Sequence, residues 1–329
     1  MAMRNDHAPQ ATVSIVTVTW NHREEIDPYL NAVARTAKES RHKLEVIVVD
    51  NASSDETAAY IRSRNADINV VESPTNTGFA LGTNLGFQRA TGDYLMMLNP
   101  DALLNAKALD GMIDFLRSHE RAGAVGCALL HKDGSVQVSS YAPMSAKSYL
   151  VNQSFLYPVV ERLRKYLLCV LPPAKKAQGC GYLMGACVIV PRRVYEEVGG
   201  MEPSYFMYCE DADWGARIRA AGWRVAYLPY LQMEHGQKGS SRRAAEFTFR
   251  RLYRSVVHYA NRNLKAGARS RLLLAMRVDM MLRLPIYALI GWFSPAKRQR
   301  YAERRASVRK LIRIAATGNP DLYDDPLPR

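Results

Sequence analysis

Short apolar runs alternate with helical stretches over residues 12–119, and this alternation constrains the fold more than any other feature of the sequence. Apolar runs with little polar alternation are typical of strands buried on both faces. The predicted strands are TVSIVTVTW, KLEVIVVD, INVVES and DYLMMLN, and the predicted helices are residues 24–40, 53–65 and 106–119. Strands separated by helices predict a doubly wound α/β fold with a mostly parallel sheet, as in Rossmann-like nucleotide-binding domains.

The second half of the chain follows a looser pattern. It contains the predicted strands AVGCALL, YLMGACVIV and WRVAYLPYLQMEH, the predicted helices 193–198 and 211–221, and the stretch CVLPPAKK. We expect that last stretch to form a loop over the functional face of the sheet. Beyond residue 240 the sequence turns into long arginine-rich helical patterns. The sequence therefore predicts an α/β catalytic domain over residues 1–240 and a basic helical region over 241–329.

The net charge of +14 lies entirely in this C-terminal region, which holds 20 Lys and Arg against 6 Asp and Glu. A basic region beside a neutral domain predicts contact with an anionic surface, either nucleic acid or lipid head groups. Charges within its apolar part argue against a membrane span, whereas Trp292, Phe293 and the basic flank favour a helix lying in a membrane interface. The alternative is a helical cap or an interface in a homo-oligomer.

The five cysteines and the N-terminus bear on the compartment. An odd number of cysteines without zinc-ligand spacing predicts neither a disulfide framework nor a structural zinc site. The opening stretch MAMRNDHAPQ lacks the apolar core of a signal peptide. Both observations favour a reducing, cytoplasmic setting.

Two acids stand at the ends of predicted strands. Asp50 ends KLEVIVVD, and Asp101 follows DYLMMLN after a proline that closes the strand. Carboxyl ends of neighbouring parallel strands share one edge of the sheet, where ligands bind in open α/β folds. The pair predicts a site for a nucleotide and a divalent cation. The alternative is that Asp50 with Ser53, and Asp101, cap the helices that follow them.

A second cluster places Glu210, Asp211 and Asp213 at a predicted helix start, after the aromatic stretch YFMYC. Crowded carboxylates with little water tend to have a raised pKa, which suits a general base. Favourable interaction of acids with the helix dipole explains the charges equally well, but not the aromatic residues. His235, at the end of the late strand, is by itself more typical of a structural residue. The stretch NTGFALGTN matches no phosphate-loop pattern, so its backbone is expected to line the substrate site.

Four stretches occur in a fixed order: VTVTWNHREEIDPYL, VVDNASSDET, NTGFALGTNLGFQRATGDYLMMLNPD and GACVIVPRRVYEEVGGMEPSYFMYCEDADWGARIRAAGWRVAYLPYLQMEHG. Together they resemble glycosyltransferase family 2 of the GT-A fold, in its rhamnosyltransferase-like branch. The resemblance covers residues 13–236. It implies that Asp50 recognises the nucleotide base, that Asp101 contacts metal and diphosphate, and that His235 is a further metal ligand.

The same resemblance implies a catalytic base at Asp211, with Glu210 beside it. Asn99-Pro100-Asp101 takes the place of the family's DxD motif, so an amide replaces its first carboxylate. The implied donor contacts besides Asp50 are Thr19, Asn21, Asn51, Asn76, Gly78, Asn84 and Asn99.

The function implied is inverting transfer of a sugar, L-rhamnose from dTDP-L-rhamnose, to a polyprenyl-diphosphate-linked saccharide in bacterial cell-wall or surface polysaccharide synthesis. The implied cofactor is Mn²⁺ or Mg²⁺. The basic helices would then place the protein on the inner face of the cell membrane, and no nucleic acid is expected because the predicted groove is lined by acids. The alternatives are another donor or acceptor, or a non-catalytic protein that binds anionic surfaces.

Overall fold

The computed structural model describes residues 9–170, 176–236 and 245–322. The strands are β1 (Thr12–Thr19), β2 (Lys43–Asp50), β3 (Asn69–Glu72), β4 (Tyr94–Leu98), β5 (Ala102–Leu103), β6 (Ala122–Leu130), β7 (Ser140–Tyr141), β8 (Gln178–Gly179), β9 (Tyr182–Leu183), β10 (Cys187–Pro191) and β11 (Arg224–His235). Most of the predicted loop CVLPPAKK and the predicted boundary at residue 240 lie outside the described residues.

Helices separate most of these strands. They are α1 (Asp27–Glu39), α2 (Thr57–Arg64), α3 (Gly78–Phe87), α4 (Ala106–Ser118), α5 (Ala146–Asn152), α6 (Tyr157–Val170), α7 (Arg192–Val198), α8 (Glu210–Ala220), α9 (Ala245–Asn263), α10 (Ala266–Phe293) and α11 (Arg298–Thr317). Each predicted helix before residue 240 has a counterpart, and the C-terminal region is helical as expected.

The central sheet has the strand order β3-β2-β1-β4-β10-β6-β11-β5, with β8 paired to β11. Neighbours among β3, β2, β1 and β4 run parallel, as do β6 and β11. The mostly parallel, doubly wound sheet predicted from the sequence is confirmed. The carboxyl ends of β1, β2 and β4 consequently lie at one edge of the sheet.

Strand β10 runs antiparallel to both of its neighbours, and the two-residue strands β5 and β8 run antiparallel to β11. Cys187, at its start, lies opposite Leu98, at the end of β4. The amide of Asn99 donates to the carbonyl of Ala186 at 2.9 Å. The reversed direction therefore brings the segment before β10 to the same edge of the sheet as the carboxyl ends of the parallel strands.

Apolar side chains cover both faces of the sheet. One buried cluster packs β1, β2 and β4 against α1 and α4, and a second covers the opposite face with α3, α7 and α8. The second cluster also contains buried residues of α9, α10 and α11, among them Val256, Met276 and Leu311. Burial of apolar surface on both faces is what stabilises a sheet of this kind. The described C-terminal helices thus share a core with the α/β domain.

The start of α2 differs from the sequence prediction. The helix begins at Thr57, and its N-cap, Glu56, has a left-handed φ of 63° and makes no side-chain cap hydrogen bond. Ser53, which the alternative to a ligand site makes a cap of this helix together with Asp50, instead donates both its amide and its hydroxyl to the Asp50 carboxylate. That alternative is wrong for α2, because these local bonds close the turn after β2 before the helix begins.

Candidate active site

A cavity of about 620 Å³ opens at the edge where β1, β2 and β4 end. Asn99, Pro100 and Asp101, which directly follow β4, form part of its wall. Its other polar lining residues include Thr19, His22, Asn51, Asn76, Glu210, Asp211 and His235. These residues come from six separate parts of the chain and meet in one cleft at the edge predicted from the strand order.

Asp101 and His235 approach each other within this cavity. Nε2 of His235 lies 3.1 Å from Oδ1 of Asp101. Pairing of His235 with Ala102 in the β11–β5 ladder places the histidine beside the acid. Burial tends to raise the pKa of Asp101, but contact with His235 and the charges of His235 and His22 outweigh that effect. The pKa of Asp101 is therefore below its ordinary value, and this carboxylate is ionised at neutral pH.

The two side chains fit a shared cation better than a direct hydrogen bond. Among the described residues, the buried Nε2 of His235 makes no hydrogen bond, although Oδ1 of Asp101 lies only 3.1 Å away. Two adjacent ligands of an octahedral ion with bonds of about 2.1 Å are about 3 Å apart, close to the distance seen here. Within the described parts of the chain, no group of three or more His, Cys, Asp or Glu side chains is arranged to hold a metal ion by itself. Substrate phosphates and water would have to complete the coordination, as is usual for Mg²⁺.

Glu210 and Asp211 lie in the first turn of α8, and both line the cavity. The Asp211 carboxylate accepts hydrogen bonds from the amides of Ala212, at 2.7 Å, and Gly185, at 3.2 Å. Burial raises the pKa of Asp211 to about 6, although these amides oppose the shift. Burial and the Asp211 charge raise the pKa of Glu210 well above its ordinary value. Of the two carboxyl groups, Asp211 is therefore the one that ionises more readily, because its charge adds to the effect of burial on Glu210.

Asp213, the third acid of the cluster, serves the packing of α8. Its carboxylate accepts from Arg217 at 2.8 Å and from Asn263 at 2.8 Å, and its side chain is fully buried. It does not line the cavity among the described residues. The structure thus separates the three crowded acids into two that face the cavity and one that joins α8 to α9.

The aromatic stretch before α8 forms one wall of the cavity. Phe206, Met207 and Tyr208 all line it. Tyr208 and Cys209 have left-handed φ angles of 72° and 66°, which turn the chain sharply into α8. Such angles cost about 1–3 kcal/mol each in non-glycine residues and persist where the surrounding structure requires them. This turn places Glu210 and Asp211 in the cavity lining, next to the wall formed by Phe206, Met207 and Tyr208.

Asp50 is not among the described residues that line the cavity, whereas its neighbour Asn51 is. Asp50 is 3% exposed, both of its carboxylate oxygens accept from Ser53, and it is not among the described lining residues. Asn51 does line the cavity. Its side chain binds the loop before α3, donating to Asn76 and to the Gly78 carbonyl, each at 3.0 Å. The end of β2 thus contributes Asn51 and the backbone of the following loop to the cavity.

The remaining predicted donor contacts divide in the same way. Thr19, Asn76, Gly78 and Asn99 line the cavity, whereas Asn21 and Asn84 are not among its described lining residues. The Asn21 side chain accepts from the Ser54 amide at 2.8 Å. The Asn84 side chain donates to the Met201 carbonyl at 2.7 Å and accepts from the Met201 amide at 2.8 Å. In this structure these two side chains hold loops together.

Two residues of this region were missed in the sequence. His22 lies shortly after β1, lines the cavity, and contributes to the low pKa of Asp101. Gln137 is buried and hydrogen-bonded to His235 at 2.8 Å. The position of His22 just beyond a strand end could have drawn attention to it. Gln137 carries no such signal, because 98 residues separate it from its partner.

Several proteins of known activity are similar to this chain. The N-acetylglucosaminyl-diphospho-decaprenol L-rhamnosyltransferase of Mycobacterium tuberculosis is 27% identical over 243 residues, covering 70% of this chain and 77% of that protein. The rhamnosyltransferase WbbL of Escherichia coli is 25% identical over 179 residues, covering 54% of this chain and 64% of WbbL. These relatives transfer sugars.

Solved structures with the same fold are also glycosyltransferases. The mannosyltransferase PcManGT of Pyrobaculum calidifontis, in complex with GDP-Man and Mn²⁺, matches with a TM-score of 0.55 at 19% identity, covering 94% of this chain and 87% of that one. GalNAc-T7 with UDP, GalNAc and Mn²⁺ matches with a TM-score of 0.54 at 15% identity, covering 77% and 50% respectively. Both matches support the GT-A architecture predicted from the sequence.

The family model for glycosyl transferase family 2 matches residues 14–199, more than half of the chain. This span runs from β1 to the end of α7 and includes the strand ends that form the cavity. The resemblance drawn from the sequence is confirmed, and the chain belongs to glycosyl transferase family 2.

Proposed function

We propose that this glycosyltransferase moves L-rhamnose from dTDP-L-rhamnose to a saccharide carried on a polyprenyl diphosphate, with inversion at the anomeric carbon. The convergence of Asp101, His235 and Asp211 on one cavity carries the catalytic part of this proposal. The donor and acceptor classes are supported by the similarity to a rhamnosyltransferase whose name specifies a diphospho-decaprenol-linked N-acetylglucosamine. The product would serve bacterial cell-wall or surface polysaccharide synthesis.

Asp101 and His235 would bind the donor's diphosphate end through a divalent cation. A bound Mn²⁺ or Mg²⁺ would stabilise the negative charge that develops on the diphosphate as the glycosidic bond breaks. Thr19, Asn51, Asn76 and the backbone of Gly78 would bind and orient the nucleotide at the ends of β1 and β2. Asn99, in the place of a carboxylate, offers an amide that can accept or donate without adding charge.

Asp211 would accept the proton of the attacking hydroxyl. Its raised pKa, about 6, makes it a stronger base than an ordinary aspartate while leaving it mostly ionised at neutral pH. The amides of Gly185 and Ala212 hold the carboxylate in one orientation. One base suffices for a single displacement, whereas a retaining mechanism with a covalent intermediate uses a second carboxylate as nucleophile. Protonated Glu210 is a poor nucleophile, which favours inversion.

A transfer assay tests this proposal. The purified protein is incubated with a panel of nucleotide sugars, Mn²⁺ and a synthetic polyprenyl-diphosphate N-acetylglucosamine, and the lipid product is analysed by mass spectrometry. We expect one deoxyhexose to be added from dTDP-L-rhamnose, and the addition to stop with EDTA. Asp101→Asn should weaken donor binding, whereas Asp114→Asn, on the exposed face of α4, should not. Transfer of a different sugar would refute the donor assignment, and transfer in EDTA would refute the metal.

We also propose that α10 docks this enzyme on an anionic membrane. Its exposed apolar side chains recur every three or four residues and so form one face: Leu274, Val278, Met281, Leu282, Ile286, Leu289, Trp292 and Phe293. Trp292 and Phe293 are each 79% exposed. Exposed basic residues flank this face: Arg271, Arg277, Lys297, Arg298 and Arg300. No helix within the described residues is long and apolar enough to cross a bilayer.

An apolar face between basic residues suits the interface of anionic lipids, which supply both an apolar interior and negative charge. Sedimentation with vesicles tests the docking. We expect binding to vesicles of phosphatidylcholine with phosphatidylglycerol, weaker binding at high salt, and loss of binding in a Trp292→Ser/Phe293→Ser variant. As a second measurement, light scattering determines the oligomeric state of the wild type and of the double variant in solution. Failure to bind, together with a dimer that the double variant dissociates, would assign this face to a second copy of the chain.

A further inference from the structure

Gln137 contacts His235 through both atoms of its side-chain amide. Nε2 of Gln137 donates to the backbone carbonyl of His235 at 2.7 Å, and Oε1 lies 2.8 Å from Nδ1 of the imidazole. Both residues are buried, with exposed fractions of 3% for Gln137 and 6% for His235. The backbone N–H of Gln137 donates to the Leu129 carbonyl at 2.8 Å, which anchors the residue beside β6. The glutamine is therefore held in place by backbone contacts on both sides.

These contacts determine the tautomer of the imidazole. A carbonyl oxygen accepts only, so the NH₂ group of Gln137 must face the His235 carbonyl. The Gln137 oxygen then faces Nδ1, and because this oxygen can only accept, Nδ1 must carry a proton. In a neutral imidazole the lone pair is consequently on Nε2. That is the atom 3.1 Å from the Asp101 carboxylate.

Two hydrogen-bond acceptors at this distance repel each other unless a metal cation or a proton lies between them. The unpaired state of Nε2 within the described structure agrees with a lone pair directed at a ligand that the two side chains share. A buried polar atom without a partner lowers the free energy of unfolding, and a ligand bound to Nε2 would remove this cost. The arrangement needs the Nδ1–H tautomer, because a proton on Nε2 would block coordination.

We infer that Gln137 is a positioning residue that holds His235 in its Nδ1–H form, so that Nε2 faces the divalent cation beside Asp101. The inference rests on the proposed metal-dependent transfer and extends it to a residue outside the family motifs. Gln137 acts through His235 and does not touch the substrate. Residues that bind the second nitrogen of a metal-ligating histidine typically account for about 10–100-fold in metal affinity or activity.

Two substitutions separate this role from simple packing. Gln137→Leu removes both hydrogen bonds at similar volume. Gln137→Glu keeps an acceptor for the Nδ1 proton but loses the donor to the His235 carbonyl. If the tautomer matters, the glutamate variant should retain Mn²⁺ affinity better than the leucine variant. If only packing and burial matter, the apolar leucine should be tolerated better than a buried charge.

Manganese affinity is measured from the electron paramagnetic resonance signal of free Mn²⁺ in the presence of saturating dTDP. We expect Gln137→Leu to weaken binding by about 10–100-fold and Gln137→Glu to stay within about fivefold of the wild type. Binding of dTDP without metal should be the same in all three proteins. Equal Mn²⁺ affinity of the wild type and the leucine variant would overturn the inference.

The tautomer is read directly in the wild type, which keeps the inference testable if the leucine variant does not fold. Nitrogen NMR of the ¹⁵N-histidine-labelled protein, with His235 assigned through His235→Gln, should show a proton on Nδ1. A proton on Nε2 at a pH where the ring is neutral would overturn the inference. Absence of any Mn²⁺ binding by the wild type would instead refute the proposed metal dependence, whatever the tautomer.

Discussion

The backbone amide of Gly185 donates a hydrogen bond of 3.2 Å to Oδ2 of Asp211. Gly185 lies just before β10, which runs antiparallel to both of its neighbours, and Asp211 lies in the first turn of α8. The reversed strand thus reaches the proposed catalytic base through its backbone. Because an amide donor favours the charged carboxylate, this bond opposes the effect of burial on the Asp211 pKa.

Replacing Asp211 with asparagine should abolish most of the transfer activity. The variant keeps the shape of the side chain but cannot accept a proton, and loss of a general base typically costs about 10²–10⁴-fold in rate. Steady-state kinetics with the identified donor measure the effect. The pKa of Asp211 is raised, so its ionised form destabilises the fold above about pH 6. Asp211→Asn should therefore melt no lower than the wild type at pH 8, which separates lost catalysis from lost folding.

The pH dependence of kcat/KM for the acceptor should follow the ionisation of Asp211. A general base acts in its ionised form, so activity should rise with pH through about 6 and level off above it. Below that pH the rate should fall about tenfold per pH unit. Mn²⁺ and donor are kept saturating at each pH. An acidic limb near pH 4 would contradict the raised pKa.

Glu210→Gln should be nearly as active as the wild type. Burial and the Asp211 charge raise the pKa of Glu210 and so favour its neutral form, which glutamine resembles in shape and hydrogen bonding. We expect activity within about fivefold of the wild type and an unchanged acidic limb. A loss as large as that of Asp211→Asn would show that the Glu210 carboxylate itself is required.

Gly78→Ala should destabilise the protein more than Gly134→Ala. Both glycines have left-handed φ angles, 82° and 78°, so both substitutions carry a backbone cost of about 1–2 kcal/mol. A Cβ at Gly78 would also overlap the Phe206 carbonyl, whereas Gly134 has open space around it. This overlap should add about 1–3 kcal/mol. Urea unfolding measures the difference, and equal effects would show that the backbone around Gly78 moves freely.

Asp279→Ala should destabilise the fold strongly. This buried carboxylate accepts from Tyr149 at 2.8 Å, from the Phe155 amide at 2.8 Å and from Arg283 at 3.0 Å. Its removal leaves Arg283 buried without its charge partner, which costs about 3–5 kcal/mol. Asp321→Ala, which breaks an exposed pair with Arg254, should cost about 0–1 kcal/mol. Comparable losses in the two variants would show that water reaches Asp279.

The Asp279 contacts join α10 to the segment that lines the cavity through Asn152 and Gln153. Arg283 donates to the Gln153 carbonyl at 3.0 Å. We therefore expect Arg283→Met to alter the KM for the acceptor while leaving dTDP binding unchanged. Unchanged acceptor kinetics in a folded variant would contradict this connection.

The order of strands and helices and one edge of the site could be predicted from local sequence. Apolar runs interrupted by helical patterns dictate parallel pairing, and the proline after Asn99 ends β4 so that Asp101 lies at the sheet edge. Short-range chemistry also indicated the acids at the start of α8. These features depend on residues near one another in the chain, where hydrophobic pattern and turn preferences act directly.

Contacts between distant segments were decided only by the tertiary structure. Gln137 and His235 are separated by 98 residues, and Gly185 and Asp211 by 26, so no local pattern relates either pair. The Asp213 side chain bonds to Asn263, 50 residues away, as well as to Arg217. The Asp50 side chain bonds instead to Ser53, three residues along the chain, because a nearby donor satisfies a buried charge at little entropic cost. Asp211 and Asp101 remain at the cavity because the packing of α8 and β11 places them there. Local sequence specifies which residues can carry charge at a strand or helix end, and long-range packing determines which of those charges face a ligand.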